Sequence, residues 1–194
     1  MGYQPKNFEH LLGLEGFSDT LLKNHFTLYQ GYVTNTNKLM NSLEKLMKSG
    51  KAGTPEHSEL QRRFGWEFNG MRLHELYFGN MTKKNTILGK DTPLMRNIER
   101  IYGSYEYWEK DFKAVGAMRG IGWAVLYCDH ESKEFFNVWI NEHDIGHLAG
   151  ATPLVVLDVF EHAYMLDYGL KRADYIAAFM NAVDWNVVKQ RLSS

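Results

Sequence analysis

Residues 18–49 contain no proline, and apolar residues recur through them at the spacing of an α-helix. The apolar positions are Leu21, Leu22, Phe26, Tyr29, Val33, Leu39, Leu43, Leu46 and Met47. Ser18 is a favourable N-cap, and the segment 49–55, rich in glycine and ending in proline, is typical of a helix end followed by a turn. The sequence therefore predicts one long helix, which constrains the architecture more than any other stretch.

A second helix is predicted from Pro55 to Phe78. Because the connection between the two helices is short, we expect them to fold back as an antiparallel hairpin. The segment 83–93 is polar and breaks the helical pattern, so a domain boundary is predicted near Gly89. The chain would then consist of an N-terminal helical hairpin domain, residues 1–89, and a C-terminal α+β domain, residues 90–194.

Beyond the predicted boundary the pattern changes from helices to short runs rich in β-branched and aromatic residues. The predicted elements, in chain order, are helices at 93–103 and 104–120, strands at 121–128, 134–141 and 153–158, and helical segments at 160–166, 173–182 and 185–192. A polar turn at 129–133 joins the first two strands as a hairpin. The expected fold class is α+β: a long helical hairpin followed by a mixed domain with a three-stranded antiparallel sheet.

Composition excludes several classes of protein. The chain has 22 Lys and Arg against 23 Asp and Glu, and this near-neutral balance disfavours a nucleic-acid partner. Its single cysteine, Cys128, rules out an internal disulfide and thiol-rich metal sites. The longest apolar run, residues 121–128, is far shorter than the about 20 residues that span a bilayer, so no membrane partner is expected. The first twenty residues lack the apolar core of a secretory signal, so a cytoplasmic location is expected.

Two histidines fall near the middle of the two predicted long helices. His25 and His74 each lie on a face shared with apolar residues, such as Phe26 and Phe78. A single histidine in such a place is more often a hydrogen-bonded structural residue. In an antiparallel hairpin, however, two facing imidazoles can meet, and imidazole is the commonest nitrogen ligand of transition metals.

A second pair of polar residues follows the third predicted strand. Asp158 comes at the end of an apolar run, and His162 follows four residues later. A carboxylate leaving a buried strand needs a partner, which a shared cation would supply. Alternatively, Asp158 only caps the following helix, and the spacing favours neither interpretation. If all four side chains converge, three neutral imidazoles and one carboxylate form a donor set of charge −1 that suits a redox metal and leaves coordination positions open.

The residues around this second pair resemble a known family. The segment 158–164 (Asp-Val-Phe-Glu-His-Ala-Tyr), followed by 174–175 (Asp-Tyr) and 181–185 (Asn-Ala-Val-Asp-Trp), is similar to the C-terminal signature of the iron/manganese superoxide dismutases. Further similarity lies at 120–124 (Gly-Ile-Gly-Trp-Ala), 32–37 (Tyr-Val-Thr-Asn-Thr-Asn), Phe68, Asn69 and His74. The resemblance covers essentially the whole chain.

This resemblance implies a fold, an activity and a metal site. The activity would be dismutation of superoxide to dioxygen and hydrogen peroxide, with one iron or manganese ion per subunit that is alternately reduced and reoxidised. The residues that match the family's ligands are His25, His74, Asp158 and His162. The family's fold, a helical hairpin followed by an α+β domain with a three-stranded sheet, agrees with the elements predicted above.

The sequence departs from the commoner family pattern next to these ligands. Many members place a glutamine that contacts the metal-bound solvent four residues before the second histidine or just ahead of the third strand; this chain has Gly70 and His143 there. His143 is thus the candidate partner of that solvent, the alternative being an exposed loop histidine. Tyr32 matches the family's gateway tyrosine, and Tyr29 replaces a histidine. Met165 replaces a tyrosine that pairs with this histidine in many members, so both partners of that pair differ here.

The ligands have further expected neighbours. The resemblance implies that Glu161 reaches across a homodimer interface to the partner subunit's ligand histidine, although a solvated helix glutamate is the simpler alternative and a tetramer stays possible. Trp123, Phe160 and Tyr77 would form the apolar wall of the site. Two other functions compete with dismutation: a zinc hydrolase, and a metal-binding protein of the same fold without turnover.

Overall fold

A computed structural model describes residues 2–193 and contains seven α-helices and three β-strands in this part of the chain. The helices are α1 (Asp19–Lys48), α2 (Pro55–Gly79), α3 (Pro93–Tyr102), α4 (Tyr105–Gly116), α5 (Met165–Tyr168), α6 (Arg172–Ala182) and α7 (Trp185–Ser193). The strands are β1 (Gly122–Asp129), β2 (Glu134–Asn141) and β3 (Thr152–Asp158). The predicted α+β fold, with a helical hairpin ahead of a three-stranded antiparallel sheet, is confirmed.

The two long helices begin and end where their capping residues predict. The Ser18 hydroxyl accepts a hydrogen bond from the Leu21 amide at the start of α1, and the Thr54 hydroxyl accepts one from His57 at the start of α2. Gly50 and Gly53 adopt positive φ in the connection, which a glycine does at little cost. The helices therefore pack against each other as an antiparallel hairpin.

The three strands form one antiparallel sheet in the order β2-β1-β3. The central strand β1 is buried along nearly its whole length, whereas β2 lies at an edge and is partly exposed. Trp123 of β1 pairs with Asp158 at the end of β3. Gly122 begins β1 so close to β2 that a Cβ there would lie 2.0 Å from the Ile140 carbonyl oxygen. This close pairing fixes the end of the sheet at which Asp158 emerges.

The chain between β3 and α6 differs from the predicted helix at 160–166. It contains a 3-10 turn, Glu161–Ala163, and the four-residue helix α5. The Asp158 carboxylate accepts the Phe160 amide, and Tyr164 has φ −144°, so the chain cannot continue as one helix. The helix predicted at 104–120 likewise ends earlier, at Gly116, where the cap residue Ala117 is followed by turns.

One hydrophobic cluster links the helical hairpin to the sheet. It includes Phe26 of α1, Phe78 of α2, Leu126 of β1 and Val156 of β3. Apolar side chains from both sides of residue 89 are thus buried together, and the division of the chain at that residue stays a prediction. Among residues 2–193, no helix combines the length and apolarity needed to cross a membrane.

Candidate metal centre

Four polar side chains meet where the hairpin packs on the end of the sheet. His25 comes from α1, His74 from α2, Asp158 from the end of β3 and His162 from the 3-10 turn that follows. One donor atom of each lies within 4.8 Å of the others. The first three are buried, whereas the His162 side chain is 24% exposed. The structure thus brings together all four residues that the sequence singled out.

The donor atoms converge on one carboxylate oxygen. Asp158 Oδ2 lies 3.2 Å from His25 Nε2, 3.2 Å from His162 Nε2 and 3.5 Å from His74 Nε2. The His25 ring centroid is 5.0 Å from that of His74 and 4.8 Å from that of His162. Three imidazoles therefore present the same nitrogen, Nε2, to one small space.

The sequence predicted His25 and His74 near the middle of the two long helices, and this prediction is wrong. His25 is in the second turn of α1, and His74 is close to the end of α2. They still face each other, because the start of α1 lies beside the end of α2 in an antiparallel hairpin. This open end of the hairpin is where β3 reaches it, so ligands from the sheet can join them.

Hydrogen bonds to the main chain orient two of the four donors. His74 Nδ1 lies 2.5 Å from the Gly70 carbonyl oxygen, so Nδ1 carries the proton and Nε2 has a free lone pair. That Nε2 is buried and has no hydrogen-bond partner within residues 2–193. A buried nitrogen without a partner is unfavourable, whereas a metal ion would satisfy it. Asp158 Oδ1 accepts the Phe160 amide at 2.9 Å and leaves Oδ2 to face the histidines.

Asp158 therefore combines the two interpretations that its sequence position left open. One oxygen caps the turn after β3 and the other faces the three imidazoles. Its main-chain carbonyl also accepts a hydrogen bond of 2.6 Å from the Tyr175 hydroxyl of α6. Sequence reasoning assigned no role to Tyr175, although it lies in a matched motif. Asp158 is thus held through its side chain by the Phe160 amide and through its main chain by Tyr175.

Burial and mutual contact set the charges of this group. Burial lowers the pKa of His25 and that of His74, so both imidazoles are neutral near pH 7. Burial alone would raise the pKa of Asp158, but His162 and His25 hold the pKa of this carboxyl well below its usual range. An ionised carboxylate and neutral imidazoles are the forms that bind iron, manganese and similar transition metals. The residues present fit such an ion.

A chain of hydrogen bonds borders these four residues. Tyr32 Oη lies 2.7 Å from His143 Nε2, and Trp123 Nε1 donates to His143 Nδ1 at 3.1 Å. An indole nitrogen can only donate, so Nδ1 of His143 is the acceptor and Nε2 carries the ring proton. His143 therefore donates to Tyr32, and the Tyr32 hydroxyl keeps its own proton for another acceptor.

His143 is a buried residue rather than an exposed loop histidine. Its ring stacks on Phe160 at 4.6 Å and meets Trp66 edge-on at 5.0 Å. Burial lowers the pKa of His143 to about 4 and raises the pKa of Tyr32 to about 12, so both are neutral at pH 7. Trp123 was predicted only as part of an apolar wall. Trp123 of β1 pairs with Asp158 of β3, and predicting this strand register would have placed Trp123 beside the site.

The remaining residues that the sequence singled out make no hydrogen bond to the four donors in the part of the chain that the structure describes. The Tyr29 hydroxyl donates to Glu75 at 3.0 Å and accepts from the Lys6 amide at 2.9 Å. Met165 is 41% exposed. Glu161 is exposed and adjacent to His162 along the chain. Tyr32, rather than Tyr29, is therefore the tyrosine whose hydroxyl joins the hydrogen-bond chain at the site.

Comparison with known proteins gives a consistent result. Residues 90–191 match the sequence model described as iron/manganese superoxide dismutases, C-terminal domain. The chain is similar to superoxide dismutase (Mn) 2 of Haloferax volcanii, with 37% identity over 84% of this chain and 79% of that protein. It is also similar to superoxide dismutase (Fe) of Aquifex pyrophilus, with 35% identity over 97% of this chain and 90% of that protein. Superoxide dismutase (Fe) of Saccharolobus solfataricus is 35% identical over 84% of this chain and 79% of its own length.

Proposed function

Because the chain belongs to the iron/manganese superoxide dismutase family, we propose that His25, His74, Asp158 and His162 hold its metal ion. The protein is an oxidoreductase that converts superoxide to dioxygen and hydrogen peroxide, with iron or manganese as cofactor. The observation that carries the ligand assignment is the convergence of three Nε2 atoms on Asp158 Oδ2, together with the buried, unpartnered Nε2 of His74.

The reaction consists of two one-electron half-reactions. When bound, the ion supplies the redox chemistry by alternating between its trivalent and divalent states. One superoxide gives up an electron and leaves as dioxygen. A second superoxide gains one electron and two protons and leaves as hydrogen peroxide. The protein must therefore admit a small anion and deliver protons to it.

We propose that Tyr32 and His143 control one of these protons. Trp123 holds His143 in the tautomer with the proton on Nε2, and His143 donates this proton to Tyr32 Oη. Tyr32 then has its hydroxyl proton available for the reduced oxygen species. A tyrosine with pKa about 12 retains that proton at neutral pH, which suits a hydrogen-bond donor.

Reconstitution with single metals tests the proposed function. The protein is stripped of metal and reloaded separately with iron, manganese and zinc, and superoxide decay is followed directly beside a metal-to-chain count. We expect about one ion per chain and catalytic decay with iron, manganese or both. Binding of one ion per chain without decay for either would identify a metal-binding protein without turnover. Hydrolysis of ester or amide substrates by the zinc form alone would favour the hydrolase.

We further propose that the chain forms a homodimer, or a tetramer made of two such dimers, with Glu161 at the interface near the partner subunit's metal site. Leu166 and Leu170, which follow Glu161 closely, are 57% and 92% exposed, as expected for a surface that a second copy covers. Glu161→Ala should weaken the dimer and metal retention together, measured by sedimentation and metal content. Glu131→Ala, which changes an exposed glutamate in the β1–β2 turn, is the matched control. An unchanged dimer with unchanged metal in Glu161→Ala would disprove the bridge.

A cytoplasmic location is also proposed. The buried free thiol of Cys128 is typical of a protein from a reducing compartment. Cell fractionation with antibody detection tests this, and recovery outside the cytoplasm would contradict it.

A further inference from the structure

The backbone of α2 touches the ring of Tyr32 at Gly70. A Cβ atom at this position would lie 2.5 Å from Cδ1, 2.7 Å from Cε1 and 3.0 Å from Cγ of Tyr32. These distances are well inside van der Waals contact. Any residue other than glycine at position 70 would therefore displace the Tyr32 ring.

The ring has little freedom to move away. The ring also stacks on His74 at 5.2 Å with an interplanar angle of 27°, and its hydroxyl lies 2.7 Å from His143 Nε2. His143 is in turn held by Trp123 and packed against Phe160. A shift of the ring would thus break the stacking on His74 or the hydrogen bond to His143.

Backbone conformation does not explain why a glycine occupies position 70. It lies inside α2 and is not among the glycines with positive φ. Glycine is the least favourable residue for a helix interior apart from proline, so its presence here needs a reason from packing. Gly65, one and a half turns earlier in the same helix, has open space around its Cβ position and carries no such contact.

We propose that Gly70 is a positioning residue for the reaction, because its missing side chain is the space that the Tyr32 ring occupies. The inference rests on the proposed role of Tyr32. The Gly70 carbonyl also accepts a hydrogen bond from His74 Nδ1–H, so one stretch of α2 backbone positions both Tyr32 and His74. His25 and Tyr32 are seven residues apart in α1, so they share one face of the helix. At this spacing the Tyr32 ring lies over Gly70, so the spacing and the glycine depend on each other.

A double-mutant cycle in the metal-loaded protein tests the proposal through two readouts. Gly70→Ala should lower the thermal midpoint by roughly 5 °C, as overpacking does, and lower turnover by about tenfold at unchanged metal content. Gly65→Ala is the matched control, and it should leave turnover unchanged and the midpoint unchanged or raised. In a Tyr32→Ala background, Gly70→Ala should lower neither the midpoint nor turnover further.

Equal losses from Gly70→Ala in both backgrounds would overturn the proposal, because they would show that position 70 acts on something other than Tyr32. Unchanged turnover in Gly70→Ala would also overturn it. If Gly70→Ala fails to fold while Gly70→Ala/Tyr32→Ala folds, the clash with Tyr32 is established by that difference. If the loaded wild-type protein has no turnover, the proposed function fails, whereas the thermal cycle still reports whether Gly70 and Tyr32 are coupled.

Discussion

The four ligand residues and the hydrogen-bond chain beside them are held in place by different means. The proposed ligands, His25, His74, Asp158 and His162, are called the inner set, and the series Trp123, His143 and Tyr32 is called the outer chain. In the inner set, main-chain groups orient two of the side chains, because the Gly70 carbonyl accepts from His74 and the Phe160 amide donates to Asp158. In the outer chain, the side-chain hydrogen bonds found within residues 2–193 run from each member to the next in the series. The inner set contains the ionised Asp158 and is proposed to bind the ion, whereas the outer chain is neutral and is proposed to control a proton.

The largest expected effect comes from removing the charge of the inner set. Asp158→Asn keeps the shape of the side chain but leaves only neutral donors, so we expect the metal content to fall to a few per cent and activity to fall more than 100-fold. Metal analysis after dialysis measures this. Asp167→Asn, which changes the carboxylate that binds Ser18 at the surface, should retain the metal. Full metal content in Asp158→Asn would contradict the assignment of metal binding to the inner set.

Acid should also release the metal ion from the inner set, and burial of the histidines lowers the pH at which this happens. Metal binding needs neutral imidazoles, and burial lowers the pKa values of His25 and His74. Protons therefore compete with the ion only below the ordinary histidine value of about 6.5, and metal should be lost as the pH falls further. Metal content and near-UV absorption across pH 3–8 measure this. Release above pH 7 would contradict the neutral, buried state of these ligands.

A smaller effect is expected from the end of the outer chain. Tyr32→Phe keeps the ring over His74 and Gly70 but removes the proton that the hydroxyl supplies. We expect turnover at saturating superoxide to fall by about 10- to 100-fold with unchanged metal content. In the wild-type protein, turnover should also fall at alkaline pH as the hydroxyl loses its proton, and this fall should be absent in Tyr32→Phe. An alkaline fall that persists in the variant would assign it to another group.

The smallest effect is expected at the start of the outer chain. Trp123→Phe removes the donor to His143 Nδ1, so the imidazole can adopt either tautomer and part of the population no longer donates to Tyr32. We expect a loss of turnover of a few-fold to tenfold. Trp66→Phe, which alters the other indole in contact with the His143 ring, is the control and should have little effect. Equal losses in both variants would mean that packing, not the tautomer, matters.

The inner set and the outer chain also differ in how far the sequence predicts them. Asp158 and His162 have a local signature, a carboxylate and a histidine at the end of an apolar strand, whereas the pairing of His25 and His74 depends on how two long helices fold back on each other. The helices and strands were predicted for similar reasons, since caps and periodicity are local. The 3-10 turn after β3 could not be predicted in this way, because it depends on the hydrogen bond from the Phe160 amide to the Asp158 side chain.

The arrangement of the outer chain could be predicted only in part. His143 and Tyr32 were identified as candidates, but their direct contact depends on how the 142–151 loop folds over the hairpin. The role of Trp123 as a donor depends on strand register, and the contact of Gly70 with Tyr32 depends on the distance between α1 and α2. Such distances follow from packing of the whole chain and have no local sequence signal.

The wide separation of the proposed ligands along the chain has a consequence for stability. His25 and Asp158 are 133 positions apart, so an ion bound by both is a cross-link between the hairpin and the sheet. A cross-link that closes a loop of this size is worth about 5 kcal/mol in chain entropy on the polymer estimate used for disulfides. By mass action, each tenfold rise of free metal above the dissociation constant adds about 1.4 kcal/mol to folding. With these residues as the ligands, the metal supply of the cell would set the fraction of chains that are folded as well as the fraction that are active.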